Sequence, residues 1–398
     1  MQPAPARIAI PASIRDRFPA LSPAAPIYLD SAATTQKPDT VIAAVTDYLS
    51  QRTANAGRGA YPWSTSLARR IAEIRARAAS FIGAGSPDEV VFTSGATAGL
   101  NAVALAWGLT NLADGDEILY RADDHAANVA PWMVLRDTLA HFGRRIALRP
   151  YRSTASGEAD LDDVAAALSS RTRLITVSHV HHVYGARSTL EELRLPASTL
   201  LCFDCSQSGG HLPVDVTELG ADFAVFAGHK MFASPGVGLL YCARRVHDQL
   251  RPFLPGGESG AAMPTLLEGG TYDIGAVLSL APAFDFLDEV GRAAIAEHNL
   301  ALTQRLIAGL RTIPGLEFTP GPAFAGCAVG YGIVAFTVAE LSSADLGFAL
   351  ADAGFFVRTG AHCVPTAASD GSVRVSTQVY TSADDVDRFV DCLGALVR

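Results

Sequence analysis

A histidine and a lysine, His229 and Lys230, stand side by side in the stretch FAVFAGHKMFASPGVGLLY, which covers residues 223–241. The apolar run before them predicts a buried strand over Phe223–Phe226, and a Ser-Pro-Gly turn separates them from a second apolar run. A lysine in a partly buried site can have a lowered pKa and act as a nucleophilic amine. The pair therefore indicates amine chemistry at the end of a strand.

Other polar residues also follow predicted strands. The segment TSGAT, which ends at Thr97, opens a helix with small residues, and such a helix start attracts an anion such as a phosphate monoester. His125 follows the second predicted strand. Asp204 ends the fifth predicted strand, and Gln207 lies three residues later. Each feature alone is also typical of a helix cap or a surface histidine. Together with Lys230 they fit pyridoxal 5'-phosphate (PLP), whose aldehyde a lysine holds as a Schiff base and whose pyridine nitrogen an aspartate keeps protonated.

The elements that must position these residues alternate between strand-like and helix-like patterns. Helical periodicity over segments such as Ala98–Trp107 and Leu161–Leu168, set between strands, predicts βαβ units and a mostly parallel sheet covered on both faces. Ligands of such α/β sheets bind beyond the carboxyl ends of the strands. Seven apolar runs predict these strands: Glu89–Phe92, Glu117–Tyr120, Ile146–Pro150, Leu174–Ser178, Leu200–Asp204, Phe223–Phe226 and Gly238–Tyr241.

The carboxyl-terminal part of the chain predicts a smaller α+β unit. A long helical pattern runs from about Val277 to Leu310, and Pro282 is expected to bend or split it. Strands are expected near Ile333–Thr337 and Val373–Ser376. The length of 398 residues allows two such units, each with its own core.

Composition excludes several classes of protein. The net charge of -9 argues against nucleic acid as a partner, and no run of 18 apolar residues predicts a membrane span. The amino terminus lacks the apolar region of a secretory signal, and six scattered cysteines do not indicate a disulfide framework, so a reducing cytoplasm is expected. The CxxC pair Cys202 and Cys205 has no second pair to complete a zinc site, and we interpret it as part of a buried strand. The turn TSGATAG lacks the GxGxxG fingerprint of nicotinamide dehydrogenases.

Several longer motifs resemble one known family. The segments IYLDSAATTQKP, VFTSGATAGLN, HAANVAPW, FDCSQS, AGHKMF, VRTGAHC and RVSTQVYTSADDVDRFV resemble the cysteine desulfurases of the class V aminotransferase group, and the Suf type above all. The resemblance covers nearly the whole chain. It implies PLP fold type I, an α/β fold in which a large domain (23–283) holds a mostly parallel seven-stranded sheet between helices. A smaller α+β domain would comprise residues 1–22 and 284–398.

The resemblance also implies a role for individual residues. The residues implied to take part in the chemistry are Lys230, Cys363 and His125. The residues implied to hold the cofactor are Ala96, Thr97, His125, His182, Asp204, Gln207, His229, Lys230, Gly270 and Thr271. The residues implied to bind the substrate are His182, Arg358 and Arg374. Gly270 and Thr271 would reach the phosphate of the partner subunit, which implies a homodimer, and no metal is expected.

The reaction implied by the resemblance converts L-cysteine to L-alanine. Lys230 would remove the α-proton of the substrate, Arg374 would bind the substrate carboxylate as a bidentate pair, and the Cys363 thiolate would take the sulfur as a persulfide. His362, next to Cys363, would influence the charge around that thiol. A sulfur-carrier protein or a small reductant would then accept the sulfur.

Departures from the family pattern lie mainly on the substrate side. His182 replaces an asparagine, Ala227 replaces a phosphate-binding serine or threonine, and GRGAY, with Gly57 and Tyr61, replaces a segment with two histidines. The loop between PGGESG and EGGT is shorter than in Suf-type enzymes by roughly ten residues. Three histidines within residues 179–182 also suggest a metal site, although the sequence offers no matching ligand set.

These departures leave other functions open. The alternatives are a C–S lyase, a selenocysteine lyase, or an epimerase or aminotransferase-like enzyme acting on a different amino acid. A C–S lyase would release pyruvate and would not need Cys363. A third hypothesis is a catalytically weak subunit that mainly binds a sulfur-carrier protein, which retention of Lys230, Asp204 and His125 argues against.

Overall fold

The computed structural model of the chain describes residues 10–22, 24–57, 59–319, 331–365 and 371–397. Arg58 of the GRGAY segment and Cys327 lie outside the described residues. No helix within the described ranges is long and apolar enough to cross a membrane.

The secondary structure alternates strands and helices as the sequence predicts. The strands are β1 (Ile27–Tyr28), β2 (Val90–Thr93), β3 (Glu117–Arg121), β4 (Ala147–Tyr151), β5 (Thr172–Ser178), β6 (Leu200–Asp204), β7 (Phe223–Ala227), β8 (Gly238–Cys242), β9 (Leu316–Phe318), β10 (Ile333–Val338), β11 (Phe355–Phe356), β12 (Arg358–Gly360) and β13 (Ser372–Ser376). The α-helices are α1 (Asp39–Gln51), α2 (Pro62–Ile82), α3 (Ala96–Val103), α4 (Leu109–Asn111), α5 (Ala126–His141), α6 (Leu161–Ala167), α7 (Ile274–Val290), α8 (Arg292–Leu310), α9 (Ser343–Asp352) and α10 (Ala383–Leu396).

The large sheet has the seven predicted strands in the order β2-β8-β7-β6-β5-β3-β4. Strand β8 runs antiparallel to both of its neighbours, and the remaining pairs are parallel. Each strand begins and ends within two residues of its predicted position. The prediction of a mostly parallel seven-stranded sheet is therefore confirmed.

Helices cover both faces of this sheet because its central strands are apolar on both sides. In β6, Leu201 and Phe203 face the core that includes residues of α2 and α7, whereas Leu200 and Cys202 face the core that includes residues of α3 and α5. This alternation follows from the two-residue period of a strand. Burial of a side chain such as Phe203, which has no exposed surface, contributes about 2–3 kcal/mol.

Strands β2, β3, β5, β6 and β7 end at one edge of the sheet, and the antiparallel β8 begins there. The chain runs closely packed at this edge, since a Cβ atom on Gly238 would lie 2.7 Å from the Cα atom of Gly95. Only glycine allows the start of β8 to approach the turn after β2 so closely. The polar residues singled out in the sequence therefore share one edge.

The carboxyl-terminal part contains an antiparallel sheet in the order β12-β13-β10-β9, next to α8, α9 and α10. Of the two outcomes expected at Pro282, a bend or a split of the long helix, the split does not occur there. Pro282 lies inside α7, and the helix ends instead at Gly291, whose φ of +85° favours glycine. Buried neighbours of the proline, such as Leu280 and Phe284, hold the helix in place by packing. The division of the chain at residues 23–283 stays a prediction, and residue 283 lies within α7.

Candidate active site

A cavity of about 410 Å³ opens at the carboxyl edge of the large sheet. It is lined by eleven of the thirteen residues that the sequence assigns to a site: Ala96, Thr97, His125, His182, Asp204, Gln207, His229, Lys230, Arg358, Cys363 and Arg374. The other two, Gly270 and Thr271, line a separate cavity of about 140 Å³. One chain thus brings most of the predicted residues together, while their individual roles remain predictions.

Lys230 lies in a short 3₁₀ turn, Gly228–Lys230, that directly follows β7. Burial lowers the pKa of its amine to about 8, against an ordinary value of 10.5. The adjacent His229 is also affected, since burial lowers its pKa to about 4. A sizeable fraction of the Lys230 amine is therefore neutral near pH 8 and available as a base or a nucleophile.

Asp204 and Gln207 lie at the end of β6 and are buried. The Ser206 N–H donates to Asp204 Oδ1 at 2.9 Å, which fixes the carboxylate in the cavity wall. Gln207 Nε2 donates to the Ala32 carbonyl at 2.8 Å, whereas Gln207 Oε1 has no hydrogen-bond partner among the described residues. The free oxygen of a buried amide is an acceptor that a bound group can satisfy.

His125 caps the amino end of α5. Its Nδ1 accepts a hydrogen bond from the Ala127 N–H at 3.0 Å, so the proton of the neutral ring resides on Nε2. Burial lowers the pKa of His125, which keeps the ring neutral at pH 7. Asp124 holds the start of α5 by accepting from the His125 N–H at 2.7 Å and from Asn128 Nδ2 at 2.9 Å. The ring is therefore held in one orientation beside the cavity.

The first turn of α3 faces the cavity. Its first backbone hydrogen bond joins the Gly99 N–H to the Gly95 carbonyl at 3.1 Å, so the amides of residues 96–98 are left at the open helix end. Space for an added atom exists here, because a Cβ atom on Gly95 would meet nothing within 4 Å. This helix start can bind a phosphate, although Ala227 offers no hydroxyl to assist.

One wall of the cavity holds two arginines bridged by one carboxylate. Arg374 Nη2 lies 3.2 Å from Asp30 Oδ1, and Arg358 Nη2 lies 3.1 Å from Asp30 Oδ2. Arg374 Nη1 also donates to the His182 carbonyl at 2.9 Å, while its buried Nε has no partner among the described residues. Two guanidinium groups against one carboxylate leave a net positive charge suited to an anionic group.

His182 is buried in the cavity wall, and neither ring nitrogen has a hydrogen-bond partner among the described residues. Its ring packs edge to face with His125 at a centroid distance of 4.9 Å. Burial, reinforced by His181, lowers the pKa of His182 well below its usual range. A neutral imidazole has one donor and one acceptor, so this ring can offer both to a ligand.

Asp124, His181 and His182 lie close enough together to suggest a metal site. Asp124 Oδ2, however, accepts from Asn128 Nδ2 and the Ser178 N–H, and Oδ1 accepts from the His125 N–H. His181 Nε2 lies 3.0 Å from the Asp123 carbonyl, and His181 Nδ1 accepts weakly from backbone amides. These hydrogen bonds engage the candidate ligand atoms of Asp124 and His181, so within this cluster only the ring nitrogens of His182 are unpaired.

Cys363 lies in a strained turn at the mouth of the cavity. His362 and Cys363 have φ values of +51° and +63°, a conformation that non-glycine residues rarely adopt. The Ala126 N–H, at the start of α5, donates to the Cys363 carbonyl at 2.8 Å. Cys363 is exposed, whereas Cys202, Cys205 and Cys242 are buried and burial raises the pKa of each of these three thiols. Within the described ranges, Cys363 is thus the most accessible thiol.

His362 lines the same cavity and supports this turn. Its Nε2 lies 3.0 Å from the Ser372 carbonyl, which places the ring proton on Nε2 and leaves Nδ1 as an unpaired acceptor. Burial lowers the pKa of His362 to about 3, so the ring is neutral at pH 7. The side chain therefore fixes the backbone that carries Cys363 without adding a charge.

A sequence model of the family described as "Aminotransferase class-V" matches residues 27–389. The chain belongs to this family. The class V aminotransferases are PLP-dependent enzymes, and the protein is accordingly a PLP-dependent enzyme of fold type I.

Curated relatives and a solved structure agree on the branch of the family. A cysteine desulfurase from Klebsiella pneumoniae is 34% identical over 91% of this chain and 91% of its own length. A probable cysteine desulfurase from Synechocystis is 32% identical over 97% of this chain and 96% of its own. The apo structure of a cysteine desulfurase from Thermococcus onnurineus superposes with a TM-score of 0.88 and 27% identity, covering 98% of each chain. The protein is therefore a homologue of the cysteine desulfurases.

The cavity of this class V enzyme fits PLP. A carboxylate (Asp204), an unpaired amide oxygen (Gln207), a neutral flat ring (His125) and an amine (Lys230) surround the space in front of the open start of α3. These are the groups that can pair the ring nitrogen, the ring oxygen, the ring face, the aldehyde and the phosphate of the cofactor.

Sequence reasoning missed the contribution of Asp30 and Ser206. Asp30 appears in the motif IYLDSAATTQKP, but nothing in the motif shows that its carboxylate meets an arginine 344 positions later. Ser206 appears between two residues that were singled out, and its backbone amide rather than its side chain fixes Asp204. Both contacts depend on tertiary structure that local patterns do not reveal.

Proposed function

We propose that the protein is a cysteine desulfurase that converts L-cysteine to L-alanine and transfers the sulfur to Cys363. The observation that carries this proposal is the position of Cys363. Its exposed side chain lines the same cavity as Lys230 and Arg374, at the mouth and in a turn fixed on both sides. A C–S lyase has no need of an acceptor thiol in that place.

PLP would be held by the residues around the cavity. Asp204 would pair with the ring nitrogen, Gln207 and His182 with the ring oxygen, and His125 with the ring face. His229 would lie beside Lys230, and Ala96 and Thr97 would bind the phosphate through the start of α3. When bound, PLP withdraws electrons from the α-carbon of the amino acid and so makes its proton acidic.

The side chains of the chain then position the substrate and move protons. Arg374, with Arg358 beside it, binds the substrate carboxylate with the help of its unpaired Nε–H group. The neutral amine of Lys230, favoured by its lowered pKa, takes the α-proton. His125 carries its proton on Nε2 and faces the cavity as a donor.

Sulfur transfer is assigned to Cys363. Its thiolate forms a bond to the substrate sulfur as the bond between that sulfur and the β-carbon breaks, and the carbon is protonated to give alanine. The balance is one thiol and one cysteine converted to one persulfide and one alanine. The strained turn at His362 and Cys363 limits where the thiol can point, which favours a single line of attack.

The active form is proposed to be a homodimer in the cytoplasm. Gly270 and Thr271 lie outside the cavity of their own chain, which agrees with a role in the site of a second copy. The persulfide would pass to a sulfur-carrier protein or a small reductant, for which an exposed Cys363 is accessible. A free thiol of this kind is preserved in a reducing compartment.

A second candidate is a class V enzyme that acts on a different amino acid. The unpaired ring of His182 favours it, because this buried donor and acceptor lie on the substrate side where the family pattern has an asparagine. Tyr61, about half exposed, adds a second departure. A buried imidazole of this kind discriminates among side chains that can or cannot hydrogen-bond with it.

Product analysis with L-cysteine separates these functions. Wild-type holoenzyme should release alanine, and Cys363→Ser should lose alanine formation while still binding PLP and L-cysteine. Pyruvate from both proteins would identify a C–S lyase and refute the proposed role of Cys363. Binding without turnover in the wild type would favour the second candidate, and His182→Asn should then increase activity with cysteine.

A further inference from the structure

The chain contains 29 arginines but only two lysines, Lys37 and Lys230. Arginine therefore supplies nearly all of the basic side chains of this protein. The two lysines, 193 positions apart in sequence, meet in the fold, because Lys37 Nζ lies 2.7 Å from the carbonyl oxygen of His229, the residue before Lys230. A residue type that is otherwise absent thus occurs twice at one place.

The amine of Lys37 lies in a cradle of neutral oxygen atoms. It donates to the Thr35 carbonyl at 2.6 Å and to the His229 carbonyl at 2.7 Å, with the hydroxyls of Thr35 and Thr34 at 3.3 and 3.4 Å. No carboxylate of the described residues forms an ion pair with it. Burial lowers its pKa to about 7. Surface lysines normally keep their amine in water, so this burial requires a structural reason.

The carbonyl of His229 is the centre of this cradle. Besides Lys37 Nζ, it is approached at 3.1 Å by the Thr35 N–H, by the Thr35 hydroxyl and by the Thr34 hydroxyl. The Thr35 hydroxyl in turn accepts from the Phe232 N–H at 3.1 Å. The backbone on both sides of Lys230 is therefore attached to the segment 34–37.

The same segment continues into the rest of the site. Asp30, a few residues earlier, bridges Arg374 and Arg358, and the Ala32 carbonyl accepts from Gln207 Nε2. Residues 30–37, which we call the strap, thus contact the substrate arginines, a cofactor residue and the turn that carries Lys230. Lys37 contributes a buried amine at the end of this strap.

We propose that Lys37 is a positioning residue for Lys230. Its side-chain amine donates to the His229 carbonyl and so determines where the Lys230 side chain enters the cavity. This inference rests on the proposed role of Lys230 and does not depend on which amino acid is the substrate. Lysine is needed here because a compact amine directs its N–H groups into a small cradle, which a flat guanidinium does not fit.

The test uses cofactor binding by the apo protein and needs no turnover. Lys37→Met keeps the length of the side chain but removes its donors, and we expect the Kd for PLP to rise about tenfold. Lys37→Arg supplies N–H donors on a flat group that does not fit the cradle, so it should not restore affinity. Thr34→Val removes one of the other donors from the His229 carbonyl and should have a smaller effect. Unchanged affinity in Lys37→Met, or wild-type affinity in Lys37→Arg, would overturn the proposal.

A second readout separates positioning from general stability. Protein labelled with ¹³C at the lysine side chain gives two lysine signals, which Lys37→Met assigns. We expect the Lys230 signal of the apo protein to move in Lys37→Met, while the unfolding temperature changes little. A lower unfolding temperature with an unmoved Lys230 signal would show a merely structural role. If the variant does not fold, the wild type provides the test. Addition of PLP should then move the signals of both lysines. A shift of the Lys230 signal alone would contradict the proposal that Lys37 positions Lys230.

Discussion

At the scale of single residues, the site is distinguished by buried polar atoms that no other part of the described chain satisfies. Gln207 Oε1, Arg374 Nε, His362 Nδ1 and both nitrogens of His182 line one cavity without partners. Each such atom costs about 1–3 kcal/mol while it stays unpaired. Five of the ten such atoms among the described residues lie at this one cavity, where bound groups can complete their hydrogen bonds.

Asp30 provides a residue-scale prediction. Asp30→Asn removes the charge that bridges Arg374 and Arg358, so the two guanidinium groups should repel each other and lose their fixed orientation. We expect the KM for L-cysteine to rise about tenfold, with a smaller effect on kcat, because mainly substrate binding is weakened. Steady-state kinetics of alanine formation measures both constants.

The matched control is Asp39→Asn. Asp39 also accepts from an arginine, Arg17, at 3.4 Å, but 54% of the Asp39 side chain and 30% of the Arg17 side chain are exposed to water. Exposed pairs contribute little, so KM and kcat should stay at wild-type values. Equal effects of the two substitutions would show that the Asp30 bridge has no special role.

At the scale of secondary-structure elements, the sequence predicted the strands that position the site. The apolar runs placed all seven strands of the large sheet within two residues, because buried strands leave a strong local pattern. The long helical pattern is interrupted at Gly291 and not at Pro282, where α7 continues and the neighbouring Leu280 and Phe284 are buried. Two contacts could not be predicted from local patterns, because each joins residues that are far apart in sequence. Asp30 and Arg374 are 344 positions apart, and Lys37 and His229 are 192 positions apart.

The segment that carries Gly270 and Thr271 gives an element-scale prediction. Glu268 holds this segment against α2 and β2 through a two-pronged ion pair with Arg75, at 2.7 and 2.9 Å, and through the Phe92 N–H at 2.7 Å. Both charged side chains are nearly buried. Glu268→Gln leaves Arg75 without a counter-charge, so the free energy of unfolding should fall by about 3–5 kcal/mol in urea titrations.

Asp387→Asn is the control for this ion pair. Asp387 pairs with Arg305 in a similar two-pronged geometry, but about half of each side chain is exposed to water. The expected loss is below about 1 kcal/mol. A loss of similar size in both variants would mean that burial does not determine the strength of the Arg75–Glu268 pair.

At the scale of the whole molecule, buried histidines should make the protein sensitive to acid. Burial lowers the pKa values of His179 and His362 to about 3, and those of His211 and His229 to about 4. In the unfolded chain these histidines become protonated below about pH 6.5, whereas in the folded chain they stay neutral until the pH falls to about 4 or lower. The free energy of unfolding should therefore fall as the pH drops from 6.5 toward 4, by up to about 1.4 kcal/mol per pH unit for each histidine.

Urea unfolding of the apo protein between pH 7 and pH 4.5 measures this slope. His211→Phe removes one buried imidazole whose two nitrogens are both unpartnered, and it should reduce the slope by about one histidine's share. The exposed His141→Phe serves as a control for the substitution itself. An unchanged slope in His211→Phe would contradict the assignment of acid sensitivity to the buried histidines.

The predicted site residues are divided between two cavities of the chain. Eleven of thirteen predicted residues share one cavity, while Gly270 and Thr271 line another. A homodimer would resolve this separation by placing these two residues against the cavity of a second copy. Sequence motifs could point to this arrangement only through the family resemblance, because no local pattern records a contact between two chains.

The role of Cys363 as sulfur acceptor is tested most directly by the mass of its peptide after a single turnover. Holoenzyme is mixed with one equivalent of L-cysteine, without any reductant or acceptor, and the peptide that contains Cys363 is examined by mass spectrometry. We expect this peptide to gain the mass of one sulfur atom and an equal amount of alanine to be released. Alanine or pyruvate formed with no added sulfur on Cys363 would contradict the assignment of Cys363 as the sulfur acceptor.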